Sequence, residues 1–352
     1  MELLTEPLVA ESASSPSQRA AVQPGDSRVP QPRLPQPGAV LRDRYRVVRF
    51  LGKGGSGAVI EALDTWRLRP PEGDQRVALK LLYSQVSRES PRFTAFQREF
   101  QHLQSLSHPG IVRVHDFDRD GEVSFFTMEY LSGRQLDAVL AARAGRRLSQ
   151  PEALAILRDV GAAVAHAHRQ GIAHGDLSPA NVLVTDGGAV RVLDFGASHR
   201  LVAEPWIAEQ DDPPRVATLA WASCQVLERG VPLARDDVYS LACLAYWLLT
   251  GAHPFEGRTA LEARSRRLRP RRPATIRGRA WSALREGLRF ERERRPADVG
   301  RWLERLDLRA ATRQLPPLAV LMQPPPPRRR WLWWLLWAAA AAGLAVIWWA
   351  GA

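Results

Sequence analysis

The stretch HGDLSPANVLV, His174 to Val184, and the stretch VRVLDFGAS, Val190 to Ser198, constrain this chain more than any other feature. Two short β-branched runs around a Gly-rich turn predict a hairpin. Asp176 and Asn181 stand five residues apart at its entrance and Asp194 stands at its exit. Asn181 and Asp194 are hard oxygen donors of the kind that hold Mg²⁺ against nucleotide phosphates, because Mg²⁺ takes few protein oxygens and completes its shell from substrate and water. Asp176 is then placed to accept or orient the proton of an attacking hydroxyl. An Asp before a strand is commonly a turn or cap residue, so the weight rests on the order and spacing of all three.

Upstream, LGKGGSGAV places Gly52, Gly54 and Gly57 in G-x-G-x-x-G spacing with Val59 behind them. Glycines let backbone amides approach phosphate oxygens with no Cβ in the way. A dinucleotide-binding turn uses the same letters but opens a helix, whereas AVIEA predicts a second strand, hence a hairpin that covers phosphates. VALK ends the next strand with Lys80, a cation suited to the α- and β-phosphates of a nucleotide. Phe93, Phe96, Phe100, Leu103 and Leu106 recur at helical spacing and carry Glu99 on the same helix, able to orient Lys80.

The rest of the chain arranges itself around these motifs. Residues 1–40 are rich in Pro, Ser and Gln and read as a disordered lead. Strand-like runs dominate 41–131, and helical patterns dominate 132–310. In the second region SQPEALAIL opens with Ser149 and Glu152 in capping-box spacing and Pro151 in the first turn, and DDVYSLACLAYWLLTG is apolar on nearly every side. The fold class expected is α+β: a small β-rich N-lobe, a larger helical C-lobe, and a ligand site between them. Residues 311–330 are rich in Pro and Arg and read as a linker.

Residues 331–350 form the core of WLWWLLWAAAAAGLAVIWWAGA, which carries no charge, has Trp at both ends and follows Arg328–Arg330. About 20 uncharged residues suffice to cross the hydrocarbon core. The stretch therefore reads as one transmembrane helix with the preceding domain on the cytoplasmic side of an inner membrane. The N-terminus lacks the basic start and apolar core of a signal peptide. Two cysteines, Cys224 and Cys243, without a CxxC pair, exclude a disulfide framework or structural zinc. The formal charge of +12 is carried mostly by Arg and concentrated between Arg258 and Arg309. It fits either a solvated surface or a patch facing an anionic membrane; a nucleic-acid partner is not expected.

In this order the motifs resemble the eukaryotic-like Ser/Thr protein kinases of bacteria, over about residues 45–307. The resemblance implies a bilobal kinase fold, ATP and Mg²⁺, and transfer of the γ-phosphate to Ser or Thr of protein substrates. It implies Asp176, Lys80 and Glu99 as catalytic residues and Asn181 and Asp194 as the metal ligands. ATP would lie against Gly52, Gly54, Gly57, Val59, Ala78, Lys80 and Leu183, with Glu129 to Leu131 bonding adenine through the backbone and Met128 as gatekeeper. Leu103, His174 and Phe195 would stack as an internal spine, Asp237 would tie down the catalytic loop, and Arg295 would be the late C-lobe Arg.

Three departures qualify the resemblance. Gly175 stands where relatives carry an Arg that pairs with a phosphorylated activation loop, and His199 to Ala217 contains no Ser, Thr or Tyr to be phosphorylated. Both halves of that switch are missing together. Ser178 replaces a Lys that contacts the transferring phosphoryl group, which removes a cation near developing negative charge. Gln225 replaces the Glu that would pair with Arg295, so weaker anchoring of the C-lobe is expected. Two other readings follow: a catalytically silent scaffold at the membrane, with possible self-association, and a small-molecule phosphotransferase, whose catalytic loops also carry HGDL.

Overall fold

The computed structural model describes residues 34–53, 57–67, 74–82, 89–143, 147–195, 199–200, 216–273, 276 and 278–323. Strands β1 (Val40–Leu41), β2 (Tyr45–Lys53), β3 (Gly57–Asp64), β4 (Arg76–Leu82), β5 (Val114–Asp120) and β6 (Val123–Glu129) form an antiparallel sheet in the order β1-β2-β3-β4-β6-β5. Helix α1 (Pro91–Ser105) interrupts it. The fold starts before Leu41: Gly38 N donates to Val47 O, so the end of the Pro-rich lead already runs along the sheet.

Helix α1 begins where the sequence provides a cap. Ser90 Oγ accepts from Phe93 N and Pro91 fills the first turn, where a missing N–H costs nothing. Phe96 and Phe100 then pack on Phe126 of β6, with ring centroids 5.0 and 5.7 Å apart. That aromatic face sets the rotation of the helix and turns Glu99 inward.

The C-lobe follows as β7 (Gly133–Gln135), α2 (Leu136–Ala142), α3 (Gln150–Arg169), β8 (Ile172–Ala173), β9 (Val182–Thr185), β10 (Val190–Val192) and β11 (His199–Arg200). The helices α4 (Val216–Leu219), α5 (Cys224–Leu227), α6 (Ala234–Thr250), α7 (Ala260–Ser265), α8 (Gly278–Gly287), α9 (Val299–Arg305) and α10 (Leu318–Leu321) complete it. Both halves of the capping box predicted at Ser149 and Glu152 are formed. Helix α6 is buried along most of its length and ends at Gly251, whose φ of 76° is the left-handed C-cap that glycine adopts freely. It packs on α3, α8 and α9, with Trp302 fully buried and its indole N–H donating to Ala283 O. The predicted hairpin is β9–β10, extended by β7 into a three-stranded sheet, and Ile111 bridges to Val192.

The chain stays packed on the lobe beyond residue 310: Leu315, Leu318 and Leu321 are all buried. Among the described residues no helix is long and apolar enough to cross a membrane; residues 331–352, where the sequence places that helix, lie outside them.

Candidate active site

The centre of the site is a buried cation between two carboxylates. Strand β4 presents Lys80 opposite Val59 of β3 and Phe126 of β6, and α1 presents Glu99. Lys80 Nζ lies 2.6 Å from Glu99 Oε1, 2.8 Å from Oε2 and 2.9 Å from Asp194 Oδ1. Burial works against the Lys80 ammonium, but Asp194 and Glu99 outweigh it and raise its pKa. Burial pushes the Glu99 carboxyl up, with Lys80 pulling against it and Asp194 adding to it. A strand, a helix and the second residue beyond β10 are thereby joined at one point.

Asp194 reaches Lys80 because its backbone is left-handed, with φ 54°, a conformation Asp tolerates better than most residues. Phe195 turns the other way and is fully buried against His174, ring centroids 4.5 Å apart. Leu103 belongs to the same core. The spine residues implied by the sequence are therefore all buried.

The catalytic loop hangs from Asp237. Its Oδ2 accepts from His174 N at 2.8 Å and lies 2.8 Å from His168 Nε2, and its Oδ1 accepts from Gly175 N at 2.9 Å. Burial opposes this carboxylate, yet His168, His174 and the Gly175 amide hold its pKa below the ordinary value. His174 is neutral, its pKa lowered by burial, with Nε2–H donating to Leu193 O and Nδ1 accepting from Asp176 N. Asn181 Nδ2 donates to the carbonyl of Asp176 at 2.7 Å and to its Oδ2 at 3.1 Å. The amide nitrogen of Asn181 orients Asp176, and Asn181 keeps its own Oδ1 for a cation.

Around this machinery the strands form the walls. Ala78 on β4 is buried; Val59 on β3 and Leu183 on β9 are half-buried. Gly57 is required by sterics, because a Cβ there would sit 1.7 Å from Leu81 O, while Gly52 has open space beside it. Gly54 lies outside the described residues. Glu129 N donates to Arg113 O, so its amide is spent. Leu131 N–H makes no hydrogen bond among the described residues and can serve the edge of a purine. No cluster of three or more His, Cys, Asp or Glu among the described residues forms a self-sufficient metal site. Asn181 Oδ1 with Asp194 fits a hard ion such as Mg²⁺, which draws further oxygens from phosphates.

Residues 45–292 match the family model described as the protein kinase domain. The chain belongs to that family. It is similar to the serine/threonine-protein kinase PknA of Mycobacterium tuberculosis (34% identity over 237 residues, 64% of this chain and 51% of that one). It is also similar to PrkC of Bacillus subtilis (30% over 240 residues, 68% of this chain and 35% of that one). The chain thus spans about half or less of the length of these relatives. The crystal structure of the M. tuberculosis PknI kinase domain superposes with a TM-score of 0.59 at 25% identity, covering 79% of this chain and 99% of that one.

Within this kinase domain the three departures acquire a structural meaning. Gly175 has φ 79°, so glycine meets a left-handed requirement of the loop as well as removing an Arg. Ser178 is buried, and its Oγ has no hydrogen-bond partner among the described residues. The hydroxyl there is enclosed by protein and brings no charge to the loop.

The neutral hydrogen bond expected at Gln225 is formed, and a carboxylate from another helix stands beside it. Gln225 Oε1 does accept from Arg295 Nη2 at 2.9 Å, but Arg295 Nη1 also donates to Asp236 Oδ1 at 3.0 Å. Asp236 gathers Arg292 Nη2 at 2.6 Å, Ser223 Oγ at 2.7 Å and Leu233 N at 2.9 Å as well. The negative charge missing at position 225 is supplied by the next helix. Asp236 escaped the sequence reading because its neighbour Asp237 already accounted for the acidic start of α6; the doublet itself was the available signal.

Proposed function

We propose that the chain is a Ser/Thr protein kinase that moves the γ-phosphate of ATP to hydroxyls of protein substrates. One observation carries this reading: Lys80, Glu99 and Asp194 are already joined in a single ion-paired cluster, beside an Asp176 oriented by Asn181. Catalysis of phosphoryl transfer is mostly positioning and electrostatics, and these are the groups that do the positioning. Lys80 would hold the α- and β-phosphates, with Glu99 fixing its direction. Asp176 would orient the acceptor hydroxyl and take its proton as the bond to phosphorus forms and the bond to the leaving ADP oxygen breaks. Asn181 and Asp194 would hold Mg²⁺, which supplies charge neutralisation on the phosphates.

The test is transfer of labelled γ-phosphate by the full chain, to itself and to a generic protein, beside Asp176→Asn and Asp194→Asn. Incorporation on Ser or Thr that both substitutions abolish supports the reading. Nucleotide binding without transfer would favour the scaffold reading suggested by Ser178, and transfer to a sugar or alkylamine alone would favour the small-molecule one.

We also propose that the uncharged, Trp-flanked stretch 331–352 anchors the kinase domain to a membrane, on its cytoplasmic side. Arg266, Arg267, Arg269, Arg271 and Arg272 are all exposed, as an anionic leaflet would require. Recovery of the full chain in the membrane fraction, and of a chain ending at residue 323 in the soluble fraction, supports this; equal partition overturns it.

A further inference from the structure

The segment after α9 does something its composition conceals. Leu315, Leu318 and Leu321, spaced L-x-x-L-x-x-L, are buried in continuity with the C-lobe core. Their groove is bounded by α2, the start of α3 and the β9–β10 turn. Each wall is shaped for the segment. Arg158 Nη1 donates to Thr312 O at 2.8 Å and Nη2 to Arg313 O at 3.1 Å, and Thr312 N donates to Pro151 O at 3.2 Å. Arg143, buried at the end of α2, donates to the carbonyls of Leu321 and Gln323. A buried guanidinium is costly unless its donors are satisfied, so Arg143 and the segment depend on each other. Gly188 has φ 85°, and a Cβ on it would lie 2.6 Å from Pro316 O and 2.7 Å from Leu315 O. Pro316 and Pro317 stiffen the segment before it docks, which lowers the entropy lost on docking.

A short path of hydrogen bonds leads from this groove to the hinge. Leu318 N donates to Asp186 O at 3.0 Å, and Asp186 N donates to Ser132 O at 2.9 Å. Ser132 Oγ donates back to the Asp186 carboxylate. Ser132 follows Leu131, whose amide was assigned above to the purine edge. The next residues, Gly133–Gln135, pair with Leu183–Thr185 of the site floor.

We propose that this groove is a docking surface whose occupant is the chain's own Leu315–Gln323 segment, and that its occupancy sets the affinity of the hinge for nucleotide. The inference rests on the nucleotide-binding reading of the hinge. A docked segment holds the Asp186 turn, the turn holds Ser132, and the hinge amide is presented at lower entropic cost. Released, the segment uncovers Arg143 and three leucine sites, and the hinge loosens.

The experiment reads binding, not turnover. ADP with Mg²⁺ is titrated into the full chain and into its Leu318→Asp variant. The expected result is at least about 5-fold weaker binding by the variant, the low end of ordinary coupling between sites. A synthetic peptide of residues 312–323 added in trans should restore it. Linkage is reciprocal, so ADP must slow hydrogen exchange at the Leu318, Leu321 and Met322 amides of the unsubstituted chain. Unchanged affinity in a folded variant whose segment exchanges freely overturns the proposal, as does exchange that ADP leaves untouched. Where the variant does not fold, the exchange measurement on the unsubstituted chain decides. If that chain binds no ADP, the hinge reading and the coupling fail together, whereas slow exchange at Leu318 and Leu321 would still establish docking.

Discussion

Arg295 and Asp236 meet across 3.0 Å in the interior of the C-lobe, the guanidinium lying over the Tyr239 ring at 5.0 Å from its centroid. This pair adds a charged link beside the neutral hydrogen bond from Arg295 to Gln225. Removing one member of a buried ion pair strands the other, so Asp236→Asn should cost about 3–5 kcal/mol of unfolding free energy. Gln225→Glu should change stability much less, because Gln225 already accepts from Arg295 and Asp236 already supplies a carboxylate to it. Denaturant unfolding of both variants measures the contrast; a stabilised Gln225→Glu would show that Asp236 is an insufficient substitute.

Lys80→Met should leave the fold intact and reduce phosphoryl transfer by about 100-fold or more, in the range seen when one preorganised electrostatic group is removed. Glu99→Gln should lose less, because the neutral amide still accepts from Lys80 while Asp194 keeps it charged. Initial rates at saturating ATP, with circular dichroism as a control for folding, give the comparison.

His253 predicts an acid limb in stability. Its Nε2–H donates to Ala220 O, and its Nδ1 accepts from Phe255 N and Gly257 N. Burial lowers its pKa from 6.5 to about 4. The unfolded chain therefore binds the proton first, and stability should fall as the pH drops from 6.5 towards 4. His253→Gln should flatten that limb. Melting temperature against pH for both chains checks the sign, and a limb that survives the substitution must belong to another group.

Asp237 acts at lower pH. Its depressed pKa gives stability that is complete above the ordinary 3.8 and lost as pH falls through the folded value. Asp237→Asn should lower stability at neutral pH and also depress transfer, since two catalytic-loop contacts and the one to His168 of α3 weaken together. Unchanged melting at pH 7 would count against its role as the loop's anchor.

Gly175→Arg should not install phosphorylation control. The position is left-handed, so any side chain costs on the order of 1 kcal/mol, and His199 to Ala217 offers no hydroxyl to phosphorylate. Transfer rates before and after phosphatase treatment should match in both chains.

Much of this site was legible because its residues act locally or in a fixed order. The phenylalanine spacing set α1 and hence Glu99; the hairpin placed Asp176, Asn181 and Asp194; the capping box at Ser149 opened α3. What stayed hidden depends on long-range partners. Nothing in the letters around Asp236 names Arg292 and Arg295, which lie nearly sixty positions away. The left-handed backbone of Gly175 comes from the loop's suspension on Asp237, and its letter alone shows only a missing Arg. The leucines after Asp307 alternate with prolines and arginines, so the segment lacks the dense periodicity of a core helix, and only the groove explains their spacing.

That groove redraws the heritable module. A fusion, graft or recombination event that cuts at the end of α9 would leave Arg143 and Gly188 shaped for a ligand that is no longer there. The smallest unit of this kinase that can be moved between proteins intact therefore extends to Gln323, and whatever is appended must begin after it.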